Sequence, residues 1–267
     1  MSSQTDPIGI FDSGIGGLTI AKSIVEAMPG EDIVYYGDTA HLPYGDKSPA
    51  TITACSLRIT DLLLQKNCKM IVIACNSAST AAFEAVRAHV GDRAIVMNVV
   101  DPLVASLAVH KEPHKMGLIG TRQTVRSMVY DQKIQALYPH ITLVSHPTNL
   151  LASAIEEFGR NGVTDSLLSE YLSHPDLKDI QSLILACTHY PLLKDKINTF
   201  FDQKVCIIDP SDVVSASVHQ TLQEHGLHNL GSMGTRHFHV SDYTDSFEKG
   251  ARMFFGHTLH LEHLALE

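Results

Sequence analysis

Short unbroken apolar runs alternate with stretches of helical spacing along the whole chain. Runs at residues 8–11, 32–36, 71–74, 93–99, 115–119, 141–144, 182–186, 205–208 and 237–240 predict strands, most of them buried on both faces. Helices are expected at 18–28, where Pro29-Gly30 stops the pattern, and from Ser48-Pro49 along the stripe Ile52, Cys55, Ile59, Leu62 and Leu63. More follow at 79–89, capped by Asn76 or Ser77, from Asp101-Pro102, and in one piece from the turn at 120–124 to Leu137. The last are at 150–158, from Pro191 to 200, from Asp209-Pro210 to 224, and at 244–255. Residues 226–234 read as a loop or flap, and the histidine-containing end as a fraying tail. Regular strand–helix alternation implies an α/β protein built on mostly parallel sheets flanked by helices.

Two of these strands end alike. Ile71-Val72-Ile73-Ala74 runs into Cys75-Asn76-Ser77, and Leu183-Ile184-Leu185-Ala186 into Cys187-Thr188-His189. Earlier in each half, Ile8 to Phe11 ends in Asp12-Ser13, and Met116 to Ile119 in Gly120-Thr121, at nearly the same distance along the chain from its cysteine. Such an echo predicts two pseudo-symmetric lobes, each presenting one thiol to a cleft between them. The first lobe is expected to be discontinuous, residues 1–98 with 211–267, and the second to span 99–210.

Two opposed thiols suit one chemistry in particular. Inverting a carbon stereocentre by proton transfer needs a base on one face and an acid on the other. A thiol is eligible because its ordinary pKa lies near 8.5, and a helix N-terminus favours the thiolate. Free cysteines are also common as small buried hydrophobes, and that is how Cys55, Cys68 and Cys206 are read. His189, directly after the second thiol step, can act as a proton partner. The glycine-rich turn at 12–17 lacks both the dinucleotide spacing and the P-loop lysine, and is read as a close approach of backbone to a small carboxylate. Thr121 and Thr124 offer hydroxyls at a helix start, Thr124 as a cap or as a ligand donor.

With these residues in view, the chain resembles the glutamate racemase family. The matching stretches are Gly9 to Leu18, Tyr36-Gly37-Asp38, Pro43-Tyr44-Gly45, Ala74 to Ser79, Gly120 to Thr124, and Ala186 to Pro191. Ser77 stands where the family usually has threonine, which keeps the hydroxyl and drops a methyl. The resemblance implies cofactor-independent interconversion of L- and D-glutamate for peptidoglycan. It implies Cys75 as the base towards D-glutamate, assisted by Asp12, and Cys187 as the base towards L-glutamate, assisted by His189. Glu156 would orient His189. Substrate would be held by Asp12, Ser13, Pro43, Tyr44, Gly45, Asn76, Ser77, Thr121, Thr124, Thr188 and His189.

Composition narrows the partners. A net charge of −9 argues against nucleic acid or an anionic membrane surface. No apolar run reaches the roughly 20 residues of a membrane span, the opening residues lack a signal-peptide pattern, and five cysteines in no framework spacing suit a reducing cytoplasm. His257, His260 and His263, and His237 with His239, lack cysteine or carboxylate at ligand spacing, so no metal is expected. Nor is a cofactor, since two thiols make a Schiff-base lysine unnecessary. A homodimer is compatible with the sequence, which sets no oligomeric state. The rival readings are a two-thiol racemase of aspartate or hydantoins, and a two-lobed protein that binds an amino acid without turning it over.

Overall fold

The structure, a computed structural model, describes residues 2–111 and 114–266. Its strands are β1 Ile8–Asp12, β2 Ile33–Gly37, β3 Met70–Ile73, β4 Ile95–Asn98 and β5 His114–Gly120. They continue as β6 Ile141–Pro147, β7 Ser182–Ala186, β8 Cys206–Ile208, β9 Arg236–Val240 and β10 Leu261–His263. The α-helices are α1 Leu18–Ala27, α2 Pro49–Gln65, α3 Asn76–Val90, α4 Val100–Ser106, α5 Arg122–Arg126 and α6 Val129–Leu137. After them come α7 Leu151–Phe158, α8 Gly162–Leu172, α9 Lys194–Phe200, α10 Pro210–Glu224 and α11 Asp245–Phe255.

The strands form two sheets, β10-β9-β2-β1-β3-β4 and β6-β5-β7-β8, with every pairing parallel. The expected α/β class with helix-flanked parallel sheets is borne out. Apolar runs explain it: β1, β2, β3 and β7 are buried along their whole length, as strands covered by helices on both faces must be. In both sheets the first strand lies inside, its successor on one side and the next strand on the other. The order therefore reverses at β1/β3 and again at β5/β7, the crevices where open α/β sheets receive ligands. Helix α10 packs against α1 and α4. No helix among the described residues is long and apolar enough to cross a membrane.

Several expectations are corrected. The helix expected through to Leu137 breaks at Met128, whose φ of 56° is left-handed, into α5 and α6. Pro191 opens a 3-10 turn, Tyr190–Leu193, before α9 begins. Helix α8 goes unpredicted, although Asn161 caps it and Leu168 and Leu172 bury its inner face. The tail does not fray: β10 pairs with β9, burying Leu261. Residues 226–234 are a loop tied down rather than a flap, since Asn229 N–H donates to Glu31 Oε1 and Gly234 N–H to the Pro29 carbonyl. Cys55 and Cys68 are buried as expected, but Cys206 is exposed at the sheet edge on β8.

Candidate active site

The C-terminal ends of β1, β3, β5 and β7 converge on one cavity. Ser13, Pro43, Tyr44, Gly45, Cys75, Asn76, Ser77, Thr121, Glu156, Cys187, Thr188 and His189 line it. Asp12 and Thr124 stand one layer back. Asp12 is wholly buried, and Thr124 lies behind Thr121, their hydroxyl oxygens 3.0 Å apart. Sequence reasoning missed Leu42, Ala152 and Ser153 in the lining. Ala152 and Ser153 sit one turn before Glu156 on α7, so the signal was small residues at helical spacing from a candidate acid.

The glycine-rich turn departs from expectation. Asp12 Oδ2 accepts hydrogen bonds from the Gly14 and Gly17 amides, at 3.2 and 3.0 Å, so those donors serve Asp12 rather than a ligand. Compactness explains the glycines: a Cβ at Gly16 would overlap the His189 ring, and one at Gly17 would come within 2.5 Å of the Asp12 Cβ. Helix α3 starts at Asn76, so neither Asn76 nor Ser77 caps it. Their side chains instead reach the other sheet's elements. Ser77 Oγ lies 2.8 Å from Thr121 Oγ1, and Asn76 Oδ1 accepts from the Tyr130 hydroxyl at 2.7 Å. Thr121, not Thr124, caps α5.

The two thiols sit in different electrostatic surroundings. Burial, and then the Asp12 carboxylate, push the Cys75 thiol up to about 12, against the pull of the Ala78 amide and of Ser13. The expected lowering at a helix N-terminus is thus outweighed by desolvation. Burial also raises Asp12 above the ordinary carboxylate range. Cys187 faces a cation instead. Burial alone would lower His189, but the neighbouring Cys187 sulfur and the Glu156 carboxylate outweigh it and hold the imidazole pKa well above its ordinary value. Its Nδ1 lies 3.6 Å from Cys187 Sγ and its Nε2 2.7 Å from Glu156 Oε1, while Phe254 packs edge-on against the ring. The arrangement sets one thiol beside a carboxylate and the other beside an imidazolium, unequal surroundings for a pair of acid–base groups.

Among the described residues no lysine or arginine lines the cavity. A carboxylate ligand would rely on hydroxyls, the Asn76 amide, His189 and the N-terminus of α3. Among the described residues one set of metal-type donors converges, Asp38, His41 and Cys55. Its carboxylate is already engaged: Oδ2 accepts from Tyr44 at 2.6 Å, and Oδ1 from Ser241 at 2.9 Å with His41 Nδ1 at 2.8 Å. That cluster buttresses Tyr44 in the cavity wall.

Comparison with known proteins agrees with this geometry. Residues 8–218 match the family model described as Asp/Glu/Hydantoin racemase. A glutamate racemase of Chlorobaculum parvum is 37% identical over 95% of this chain and 94% of its own, and one of Geobacter metallireducens 36% identical over 93% and 92%. The crystal structure of the Francisella tularensis glutamate racemase in complex with D-glutamate superposes with a TM-score of 0.91 at 37% identity, covering 99% of both chains. From the matching strand ends, the paired thiols and these likenesses alike, the chain belongs to the Asp/Glu/hydantoin racemase family.

Proposed function

We infer that the protein is a cofactor-independent glutamate racemase, interconverting L- and D-glutamate and so supplying the D-isomer for peptidoglycan in the cytoplasm. The observation that carries this is the pair of cysteines at equivalent strand ends on a single cavity, one backed by Asp12 and the other by His189. Glutamate is favoured over aspartate or a hydantoin by relatives of that name along nearly the whole chain.

In the L-to-D direction the Cys187 thiolate takes the α-proton and the Cys75 thiol gives its proton to the opposite face of the carbanion. The product leaves behind a Cys187 thiol and a Cys75 thiolate, which run the reverse reaction. His189, oriented by Glu156, stabilises the Cys187 charge, and Asp12 stands behind Cys75. The developing carbanion charge is met by the donors of Ser13, Asn76, Ser77, Thr121 and Thr188, on residues that are mostly buried. Residues 1–98 with 211–267 form one lobe and 99–210 the other, and the substrate lies between them.

The test is a proton NMR time course with D-glutamate in heavy water, on reduced and chelator-treated protein, paired with optical rotation. Loss of the α-proton signal together with decay of rotation to zero is expected. An unchanged α-proton in folded protein sinks the assignment and turns the question to aspartate and hydantoins. Cys75→Ala and Cys187→Ala should each abolish racemisation, because either loss removes one face of the exchange; near wild-type turnover in either variant contradicts the two-thiol mechanism.

A further inference from the structure

Asn76 carries an unusual vacancy for a buried side chain. It is 2% exposed and lines the cavity, yet among the described residues its Nδ2 has no hydrogen-bond partner. Its other end is fully committed, because the Tyr130 hydroxyl, itself on a residue 1% exposed, donates to Oδ1 at 2.7 Å. A carboxamide has one accepting and one donating end, related by a half-turn about its last bond. Whatever holds the accepting end decides which way the donor points.

We propose that Tyr130 is a positioning residue for substrate: from α6 it locks the Asn76 amide at the start of α3 so that Nδ2 is presented to a substrate carboxylate. Tyr130 satisfies Oδ1, so the amide makes bonds at both ends only when Nδ2 faces a cavity ligand that accepts; burial and the nearby Asp101 raise the phenol, and the hydroxyl keeps the proton it donates through the working pH range. Without it, a half-turn of the amide would aim Oδ1 at the carboxylate and replace a hydrogen bond by a repulsion. In a cavity lined by no lysine or arginine, one fixed neutral donor is a sizeable part of the recognition of an anionic ligand. The bond also joins an element between β5 and β6 to one between β3 and β4, so it aligns the two sides of the cavity as well.

This inference rests on glutamate being the ligand, and the experiment separates the two claims. Calorimetry gives Kd for D-glutamate and polarimetry gives kcat/KM, for the wild type, Tyr130→Phe, Asn76→Ala and the double variant. If the wild type binds glutamate without turning it over, the racemase assignment fails while the binding cycle remains readable. Tyr130→Phe is expected to weaken binding about tenfold, the worth of one hydrogen bond to a charged group, and to lower kcat/KM by at least as much. In the Asn76→Ala background the same change should weaken binding less than twofold, since Tyr130 would have nothing left to orient. Equal weakening in both backgrounds, or none in either, overturns the proposal, a purely structural tyrosine being blind to Asn76. A crystal structure of the wild type with D-glutamate gives a second reading that needs no variant. Nδ2 should lie within hydrogen-bond reach of a carboxylate oxygen, and an Nδ2 without a ligand contact overturns the assignment.

Discussion

His189 is held from both sides of its ring: Nε2 lies 2.7 Å from Glu156 Oε1, and Nδ1 faces the Cys187 sulfur at 3.6 Å. Both neighbours raise the His189 pKa, the Cys187 sulfur and the Glu156 carboxylate, and so favour the imidazolium, which can donate from both nitrogens. Glu156→Gln removes one of them, so the His189 pKa should fall and the alkaline limb of kcat/KM should move to lower pH, with activity at neutral pH down by about one to two orders of magnitude. Because two enantiomers are equal in energy, kcat/KM must be the same in both directions at every pH, so the shift must appear equally with L- and D-glutamate. Linkage gives a second check. The raised His189 pKa contributes stability that is present below the ordinary histidine value and lost as pH rises through the folded value. The stability deficit of Glu156→Gln should therefore shrink as the solution is made alkaline. An unmoved pH profile would leave Glu156 as mere packing.

Unequal surroundings should make the five cysteines chemically distinguishable. Cys206 is exposed, Cys187 faces an imidazolium, and burial pushes Cys75 and Cys68 up to about 12. With limiting iodoacetamide near pH 7.5, peptide mapping should find Cys206 modified first and Cys187 next, with Cys75 lagging by at least about tenfold. D-glutamate should protect Cys187 and leave Cys206 unaffected. Modification of Cys75 ahead of Cys187 would reverse the assignment of resting acid and base.

Gly16 tests the close contact between the first glycine-rich turn and His189. A Cβ there would overlap the imidazole and come 2.6 Å from Thr188 Oγ1, both backed by the rest of the site. Displacing the ring by about 1 Å is enough to cost about a hundredfold in kcat/KM. Gly16→Ala should show that loss in steady-state kinetics. Gly162→Ala is the matched control, because a Cβ at that position of α8 meets nothing within 4 Å. It should leave activity unchanged and stability level or higher by up to about 1 kcal/mol. Full activity in Gly16→Ala would mean that the contact carries no positional demand.

What could be read from sequence divides along physical lines. Apolar runs and strand–helix alternation betray a parallel sheet because burial on both faces leaves no room for polar positions, and β1, β3, β5 and β7 were legible for that reason. So were the residues at their C-terminal ends, since a thiol or hydroxyl between an apolar run and a helix is conspicuous. Pairings across the cavity were not legible: Tyr130 with Asn76, Ser77 with Thr121 and Phe254 with His189 join segments whose local patterns say nothing of each other. Electrostatic balance was hidden as well. The lowered thiol expected at a helix N-terminus became a raised one at Cys75, because desolvation depends on neighbours that the helix pattern does not name. The break at Met128 has no glycine or proline to announce it.

Far from the cavity, Lys69 and Glu31 form an ion pair whose side chains are both wholly buried, with Nζ 2.6 Å from Oε2. The pair is also a clamp. Lys69 Nζ donates to the Gln4 carbonyl, and Glu31 Oε1 accepts from the Asn229 amide at 2.7 Å, so the chain's opening segment and the loop before β9 are both fastened to it. Replacing one partner leaves the other charge buried and unpaired, which costs about 3–5 kcal/mol. Lys69→Met should lose that much in urea unfolding, while KM and kcat of the remaining folded enzyme hold. The double variant Lys69→Met with Glu31→Leu should recover part of the loss, because no charge is then stranded, but not all of it, since Gln4 and Asn229 lose their partners. A single variant as stable as the wild type would mean that water or rearrangement reaches Glu31 and that the clamp contributes little to the fold.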